Sequence, residues 1–304
     1  MIPWTLAALL PLATSPVYLF AYFKGNGEDG LHLAWSRDGL HWAALNGDRP
    51  FLAPQVGTAE RLMRDPHLSL GPDGRFHLVW TTGWRDPRQI GYADSADLQH
   101  WSTPRAIATM TDEPTARNSW APEVFWDEAT AQYLVFWSTT IPGRFAATDA
   151  TGDDGFNHRI YCRTTPDFQT FGPTRLLYDG GFNVIDATML KVGDRYHLIV
   201  KDETLTPVRK NLRLATAEHA LGPYGPAAEP FTGSWVEGPS ALRPGDETIV
   251  YFDHYMPPQY YGAVRTRDWV HWEDVTAQVQ FPAGARHGSV LAVDPAVVER
   301  LLAR

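Results

Sequence analysis

The sequence predicts an all-β protein that folds as a five-bladed β-propeller, and its composition and internal repetition lead to this prediction. Aromatic residues make up 12% of the 304 residues, and the 25 glycines and 24 prolines are spread along the whole chain. Many aromatic strands separated by turns are typical of a sandwich, a barrel or a propeller. A strand-turn-aromatic unit recurs five times, and a repeat of this length favours the propeller.

Each copy of the unit resembles the turn between the two outer strands of a propeller blade. The clear copies are Trp35–Trp42, Tyr92–Trp101, Tyr161–Phe171 and Val264–Trp272, and a degenerate copy is Leu214–Tyr224. An apolar segment precedes each copy and predicts a central strand. These segments are Val17–Phe23, Phe76–Thr81, Tyr133–Ser138, Tyr196–Lys201 and Thr248–Phe252.

A third kind of segment carries a carboxylate and predicts the innermost strand of a blade. It precedes four of the five apolar strands, at Arg64–Leu68, Ala121–Phe125, Val184–Thr188 and Val236–Ser240. The first apolar strand has no such segment, and an unpaired one, Ala285–Leu291, occurs near the C-terminus. We therefore expect the C-terminal segment to complete the blade that begins at the N-terminus. Such closure removes two exposed sheet edges, whereas an open arc would leave them unpaired.

The inner segments place polar residues at one expected pocket. Aligned at their first polar residue, they give positions 65, 123, 186, 237 and 287, separated by 58, 63, 51 and 50 residues. Inner strands surround the axis of a propeller, so the alignment brings Asp65, Glu123, Asp186, Glu237 and His287 together. Crowded carboxylates separate in pKa, which acid–base cleavage of an acetal requires. On the alternative interpretation, these residues only bind backbone groups or water in the channel.

The ordered motifs resemble glycoside hydrolase family 43 over about residues 17–293. They are Arg64-Asp65-Pro66, Trp120-Ala121-Pro122-Glu123, Ile185-Asp186, Glu237-Gly238-Pro239 and Arg286-His287-Gly288-Ser289. Each motif is weak alone, and their order with blade spacing makes the resemblance specific. In many members of the family the base lies near the N-terminus, whereas here most of a blade precedes it.

The resemblance implies a role for each matching residue. Asp65 would be the general base that activates water, Glu237 the general acid, and Asp186 the residue that orients the acid and keeps its pKa raised. The family inverts configuration, which implies carboxyl groups about 6.5–9.5 Å apart. Glu123 would shape the pocket. His287 would lie near a central ion or water, commonly calcium, although the chemistry itself would require no cofactor.

Further residues that flank the predicted inner and central strands are candidates for substrate binding. They are Arg64, Trp84, Trp120, Asn183 and His254, together with Glu123 and His287. Each Trp is equally compatible with a place in the core. Arg85, in a loop after the second apolar strand, is a candidate contact at the rim.

Charge and cysteine content exclude several classes of function. The net charge is −9 and no run of Lys or Arg occurs, which argues against a nucleic acid or an anionic membrane as partner and fits a neutral oligo- or polysaccharide. Cys162 is the single cysteine, so neither an intrachain disulfide nor a cysteine zinc site is expected, and its apolar strand predicts a buried thiol.

The N-terminal segment Met1–Pro16 contains an apolar stretch too short to span a bilayer. It resembles the core of a secretory signal but lacks the preceding basic residues, and an apolar cap on the first blade or a misassigned start is the alternative. We expect a signal-like segment at 1–16, a secreted or periplasmic location, and a single catalytic propeller domain at 17–304.

These observations predict an inverting exo-glycosidase that acts on arabinofuranosyl, xylosyl or galactosyl units of plant-type polysaccharide side chains. Two alternatives stay open. A sugar-binding propeller without catalysis would usually have lost the base or the acid, and both are present. A related five-bladed hydrolase, transferase or phosphorylase would use the same fold, and phosphate-dependent product formation would identify a phosphorylase.

Overall fold

Five antiparallel sheets arranged as propeller blades make up the fold, as the sequence predicts. The computed structural model describes residues 15–86 and 88–303, and 19 strands within these ranges form the sheets. Most of the signal-like segment, residues 1–14, lies outside the described residues. Among the described residues, no helix combines the length and the hydropathy needed to cross a bilayer.

The strands follow one another blade by blade. The first are β1 (Val17–Phe23), β2 (His32–Ser36) and β3 (Ala43–Ala44). The second blade contains β4 (Arg64–Leu70), β5 (Phe76–Thr81), β6 (Gln89–Ser95) and β7 (Arg105–Ala108). The third contains β8 (Trp120–Asp127), β9 (Gln132–Thr140), β10 (His158–Thr165) and β11 (Arg175–Tyr178).

The remaining elements complete the ring. The fourth blade contains β12 (Val184–Val192), β13 (Arg195–Asp202) and β14 (Asn211–Ala217). The fifth contains β15 (Val236–Leu242), β16 (Thr248–His254), β17 (Tyr260–Thr266) and β18 (Glu273–Asp274). They are followed by β19 (Arg286–Val293) and the helix α1 (Pro295–Leu302). Short 3₁₀ turns lie at Asn46–Asp48, Ala146–Thr148, Asp153–Gly155 and Thr276–Gln278.

The predicted closure of the ring is confirmed. Strand β19 pairs with β1 in a register that runs from Val17 opposite Val293 to Phe23 opposite Arg286, so the first sheet has the order β19-β1-β2-β3. Helix α1 then packs Val298 and Leu301 against the core between the first and second blades. The sheet edge that the N-terminal strands would expose is therefore covered by the C-terminal strand.

The apolar central strands are buried on both faces because each lies between two neighbouring blades. All seven residues of β1 are buried. Successive side chains of a strand point to opposite faces, and accordingly Leu19 contacts the second blade whereas Phe20 contacts the fifth. Similar apolar clusters lie at the other three blade interfaces. The predicted burial of Cys162 is confirmed, since it belongs to the cluster between the third and fourth blades.

The recurring turn is held by an aspartate in four of its five copies. In the first copy one carboxylate oxygen of Asp38 accepts the backbone N–H groups of Leu40 and His41, at 2.8 and 2.9 Å. The same pattern recurs at Asp97, Asp167 and Asp268. These turns join outer strands and are features of the fold.

The closure can be tested at Ser289, whose hydroxyl joins the first blade to the second. Its Oγ accepts the backbone N–H of Leu68 at 2.9 Å and donates to the carbonyl of Pro66 at 3.2 Å. Ser289→Ala leaves that buried N–H without its partner, and we expect the free energy of unfolding to fall by about 1–3 kcal/mol. Denaturant unfolding measures this change.

Ser69→Ala is the matched control. Ser69 lies in the adjacent β4, and its hydroxyl has no hydrogen-bond partner within residues 15–86 and 88–303. We expect the free energy of unfolding of this variant to stay close to that of the unmodified protein. Equal effects of the two substitutions would show that the Ser289 hydroxyl does not secure the closing blade.

Candidate active site

Hydrogen bonds between neighbouring inner strands define which residues share a level of the channel. In each of these bonds, a side chain on one inner strand accepts a hydrogen bond from a backbone N–H on the inner strand of the next blade. The donor is the residue that directly follows the position equivalent to the acceptor. The observed pairs are Ser240 Oγ with Val290 N (2.9 Å), Ser289 Oγ with Leu68 N (2.9 Å) and His67 Nδ1 with Val124 N (3.2 Å). Glu123 therefore lies at the level of His67, Ser240 and Ser289.

This register corrects the alignment made from the sequence. Two residues nearer the mouth, the equivalent positions are Asp65, Ala121, Asp186, Gly238 and His287. Glu237 comes one residue before Gly238, which is the position of its strand at this level. Glu123 lies two residues deeper in the channel than Ala121. The ladder of every inner strand is interrupted close to the mouth, and an interruption shifts the pairing by a residue that a spacing cannot reveal.

The backbone of the mouth level is left-handed in four of the five blades. The φ angles are 50° at Asp65, 46° at Ala121, 49° at Asp186 and 57° at Gly238. Left-handed backbone is uncommon outside glycine, although Asp and Asn tolerate it better than most residues. This conformation turns the carboxylates of Asp65 and Asp186 into the pocket.

A cavity of about 300 Å³ opens at this end of the axis. It brings together seven residues proposed from the sequence: Arg64, Asp65, Trp84, Trp120, Asp186, Glu237 and His287. Eight further residues line it: Thr81, Asp153, Asp154, Phe156, His158, Ile185, Lys201 and Glu203. Asp65 and Glu237 thus share one cavity, as a paired base and acid require.

Three residues proposed to bind substrate do not line this cavity. Glu123 is buried below it, where burial raises the pKa of its carboxyl well above the ordinary value. Asn183 is fully buried and holds the wall: its Oδ1 accepts the N–H of His158 at 2.7 Å and its Nδ2 donates to the carbonyl of Phe156 at 3.1 Å. His254 stacks on Tyr260 at the end of β16.

His287 lies between the two aspartates of the mouth. Its Nδ1 is 3.3 Å from Asp65 Oδ1 and 3.9 Å from Asp186 Oδ2. Burial alone would lower the pKa of His287, but the charges of Asp186 and Asp65 outweigh it and raise the pKa to about 9. At neutral pH the ring is therefore an imidazolium, which forms an ion pair with the carboxylate of Asp65.

The two aspartates have pKa values on opposite sides of the ordinary value. Burial alone would raise the pKa of Asp65, yet His287, Arg64 and a 2.8 Å hydrogen bond from Thr81 lower it to about 2. Burial, reinforced by the charges of Glu237 and Asp65, raises the pKa of Asp186 to about 6. Asp65 is thus ionised at neutral pH, as a general base must be.

Asp186 also positions the segment that carries Glu237. Its Oδ2 accepts the backbone N–H of Gly238, the next residue along the chain, at 3.1 Å. Gly238 has φ of 57°, and a Cβ built on it would lie 2.4 Å from the ring of His287. A glycine is required here because the inner strand passes directly against that imidazole.

Two cations hold the carboxylate of Glu237, and the sequence analysis assigned neither of them to the site, although Arg286 belongs to the last motif. Lys201 Nζ lies 3.2 Å from its Oε2, and Arg286 Nη2 lies 3.3 Å from its Oε1. Lys201 also pairs with Glu203 Oε2 at 2.6 Å, and Arg286 with Asp253 Oδ2 at 2.6 Å. One available signal was that Lys201 ends an otherwise apolar predicted strand, where its charge reaches the mouth of the pocket.

A loop between β9 and β10 supplies the remaining acidic wall. Lys210 Nζ lies 2.6 Å from both Asp153 Oδ2 and Glu203 Oε1, which fixes the loop to the fourth blade. Lys210 is itself buried. No sequence motif marks this loop, and its approach to the pocket depends on the packing of two blades.

The calcium ion that the resemblance implies near His287 would be held through water rather than by a cluster of protein side chains. In the part of the chain that the structure describes, no group of three or more His, Cys, Asp or Glu residues is arranged to hold a metal ion. A protonated His287 between two carboxylates already balances part of the negative charge at the axis.

Comparison with known proteins decides the family. Residues 15–299 match the family model described as "Probable glycosyl hydrolase domain", which is related to glycoside hydrolase family 43. The chain belongs to this family. The resemblance seen in the motifs is thereby confirmed, and residues 15–299 form a glycosyl hydrolase domain of the family 43 propeller type.

Individual relatives agree with this assignment. An α-L-arabinofuranosidase of Bifidobacterium longum subsp. longum is 27% identical over 217 residues, which cover 62% of this chain and 20% of that protein. The match thus spans about a fifth of the length of this curated relative.

Solved structures show the same fold at low identity. A family 43 β-1,3-galactosidase has a TM-score of 0.62 at 13% identity, covering 87% of this chain and 58% of its own. The α-L-arabinofuranosidase of Lactobacillus brevis has a TM-score of 0.54 at 16% identity, covering 70% and 72%. The family 62 α-L-arabinofuranosidase domain of Coprinopsis cinerea has a TM-score of 0.56 at 13% identity, covering 78% and 75%.

The charge state of His287 predicts a pH dependence of stability. Its pKa is about 9 in the folded protein against an ordinary value of 6.5. The stabilising effect is fully present below pH 6.5 and is lost as the pH rises through 9. We expect the free energy of unfolding to decrease across this window, with a smaller decrease in His287→Gln.

NMR titration of the His287 ring provides a direct measurement. In Asp65→Asn one of the two flanking carboxylates is gone, so we expect the pKa of His287 to fall. A ring that titrates at its ordinary value in the unmodified protein would contradict the proposed ion pairs.

Lys201 and Lys210 provide a matched pair of variants. Both are buried and ion-paired, so Lys201→Met and Lys210→Met should each cost about 3–5 kcal/mol of stability. Lys201 also lowers the pKa of Asp186. Of these two lysines, Lys201 is the one that contacts Glu237. We expect Lys201→Met alone to raise the pKa of Asp186 and to move the pH–activity profile upward. Identical profiles in the two variants would show that Lys201 acts on stability only.

Proposed function

We propose that this glycosidase is an inverting, exo-acting enzyme that releases arabinofuranosyl, xylosyl or galactosyl units from plant-type polysaccharide side chains. The observation that carries the proposal is the single cavity shared by Asp65 and Glu237. At about 300 Å³ this cavity lies at the small end of ligand pockets. That size suits one sugar unit at the end of a chain.

The proposed reaction is a single displacement. Asp65 takes a proton from a water molecule, whose oxygen attacks the anomeric carbon. Glu237 gives a proton to the departing glycosidic oxygen as the bond to the anomeric carbon breaks. The products are a free sugar of inverted configuration and a shortened chain with a new hydroxyl, and the acid and base recover their protonation states through solvent.

The surrounding residues prepare these two groups. The imidazolium of His287 and the hydroxyl of Thr81 each donate to one oxygen of Asp65, which fixes the plane of the base. Asp186 holds Gly238 and therefore the backbone next to Glu237. Such positioned groups reduce the reorganisation needed at the moment of reaction.

The names of the relatives support two of the three sugar classes, arabinofuranosyl and galactosyl. The curated relative and two of the similar structures are α-L-arabinofuranosidases, and another similar structure is a β-1,3-galactosidase. We place arabinofuranosyl first among the candidates because the curated relative has the highest identity among these proteins. The proposed chemistry uses carboxyl groups and water and assigns no step to a metal or other cofactor.

The apolar N-terminal stretch supports a secreted or periplasmic location, where polysaccharide is accessible. The acidic lining of the pocket and the net charge of −9 support a carbohydrate partner and disfavour nucleic acid or an anionic membrane.

Two substitutions test the proposed acid and base. Asp65→Asn and Glu237→Gln each remove one proton-transfer group, and we expect turnover to fall by about 10²–10⁴-fold. Asn also tolerates the left-handed backbone of position 65, so the fold should stay intact. The assay is a screen of aryl arabinofuranosides, xylosides and galactosides, with the anomeric configuration of the first product followed by NMR.

Asp246→Asn is the matched control, since Asp246 is exposed and outside the pocket lining. Near-normal rates in Asp65→Asn or Glu237→Gln would contradict the proposed role of that residue as base or acid. A product of retained configuration would rule out inversion. Saturable binding without any product would instead indicate a sugar-binding propeller. Product formation that requires phosphate would indicate a phosphorylase.

A further inference from the structure

An outer groove of about 540 Å³ continues from the catalytic pocket onto the surface. It is lined by Trp84, Arg85, Arg117, Trp120, Asp154 and Phe156. Four of these residues, Trp84, Trp120, Asp154 and Phe156, also line the pocket. If the terminal unit of a sugar chain occupies the pocket, the rest of the chain would therefore lie in this groove.

The groove has an aromatic wall that is fixed in place. Trp84 is 43% exposed and meets Trp120 edge to face at 5.3 Å. The indole N–H of Trp84 donates to Asn26 Oδ1 at 3.0 Å, its backbone N–H donates to Glu60 Oε2 at 2.6 Å, and Arg64 lies 4.3 Å from its ring. An exposed, immobilised aromatic ring can stack on a ligand at little cost in side-chain entropy.

Two arginines of the groove lining, Arg85 and Arg117, carry charge that the protein does not neutralise. Arg117 lies 4.1 Å above the ring of Phe156 and donates to the carbonyl of Gly155 at 2.7 Å. Among the described residues, neither Arg117 nor Arg85 has a carboxylate within ion-pair distance, whereas Lys201, Lys210 and Arg286 in and around the pocket are all paired. Asp154 is the one acidic side chain of the groove lining, so the groove is cationic overall.

The pocket itself has the opposite charge pattern. Six acidic residues line it, against the three basic residues Arg64, Lys201 and His287. The pocket therefore has an excess of negative charge that would repel an anionic sugar. A bound substrate would therefore place a neutral sugar in the pocket and a negatively charged sugar in the groove.

We propose that the outer groove is the leaving-group subsite and that it takes a uronic acid residue of the polysaccharide. The sugar ring stacks on Trp84, and the guanidinium groups of Arg117 and Arg85 bind the carboxylate. A guanidinium matches a carboxylate because its planar donors form paired charge-assisted hydrogen bonds. This inference rests on the proposed glycosidase reaction and adds the class of sugar from which the terminal unit is cleaved.

The test uses two oligosaccharides that differ in one group. In one, the cleavable sugar is linked to a uronic acid, and in the other that carboxylate is reduced to the neutral alcohol. We expect kcat/KM to be about tenfold higher for the acidic substrate, the effect of one charge-assisted hydrogen bond. The advantage should shrink as salt is added, because both arginines face solvent.

Variants assign the effect to the two guanidinium groups. In Arg85→Gln and Arg117→Gln we expect the ratio of the two kcat/KM values to fall toward one. Arg85 makes no hydrogen bond or ion pair within the described ranges, so its substitution leaves the fold unaltered and keeps the test valid if Arg117→Gln disturbs the loop. Arg243→Gln, exposed beyond the other end of β15 from Glu237, is the control and should keep the ratio of the unmodified enzyme.

Equal rates on the two substrates, or a ratio that both arginine variants leave unchanged, would overturn the inference. Preference for a substrate that carries a sulfate ester in place of the carboxylate would also overturn it. Calorimetric binding of the two oligosaccharides to the Glu237→Gln variant measures the same preference without turnover. Failure of catalysis on every neutral glycoside would count against the proposed reaction, whereas loss of the charge preference alone would count against the groove.

Discussion

The ion pairs of His287 with Asp65 and Asp186 are the interaction on which the pocket depends. Two buried carboxylates close to a common axis repel each other, and the imidazolium between them makes their proximity tolerable. It keeps Asp65 ionised while burial holds the pKa of Asp186 at about 6. The division of labour between the two carboxyl groups therefore follows from one shared partner.

Ring closure and assembly of the site are the same structural event. His287 and Arg286 both belong to β19, the strand that completes the first blade. Arg286 pairs with Glu237 of the fifth blade, and His287 pairs with Asp65 of the second. The proposed base thus obtains its imidazolium partner, and the proposed acid the second of its two cations, only when the C-terminal strand is in place, which couples the global fold to the chemistry.

Charges at the mouth form a continuous chain of alternating sign. It runs through Asp153, Lys210, Glu203, Lys201, Glu237, Arg286 and Asp253. Buried charges are stabilised only when paired and hydrogen-bonded, and this chain provides partners from the third, fourth, fifth and first blades. The arginines of the outer groove stand outside the chain, and their unneutralised charge is what distinguishes the leaving-group side.

The sequence by itself determined the blades, the closure and the residues of the mouth. Apolar strands such as Val17–Phe23, the aspartate turns and the spacing of Asp65, Asp186 and His287 are local patterns that repeat, and repetition carries the architecture. Tertiary structure alone decided the depth of Glu123, the structural role of Asn183 and the place of Lys201 and Glu203 beside the acid. Register depends on interruptions of the strand ladder and on hydrogen bonds between blades, and pKa values depend on burial and on charges from other blades. Neither the strand register nor a pKa value is a property of any single segment, which is why sequence patterns do not predict them.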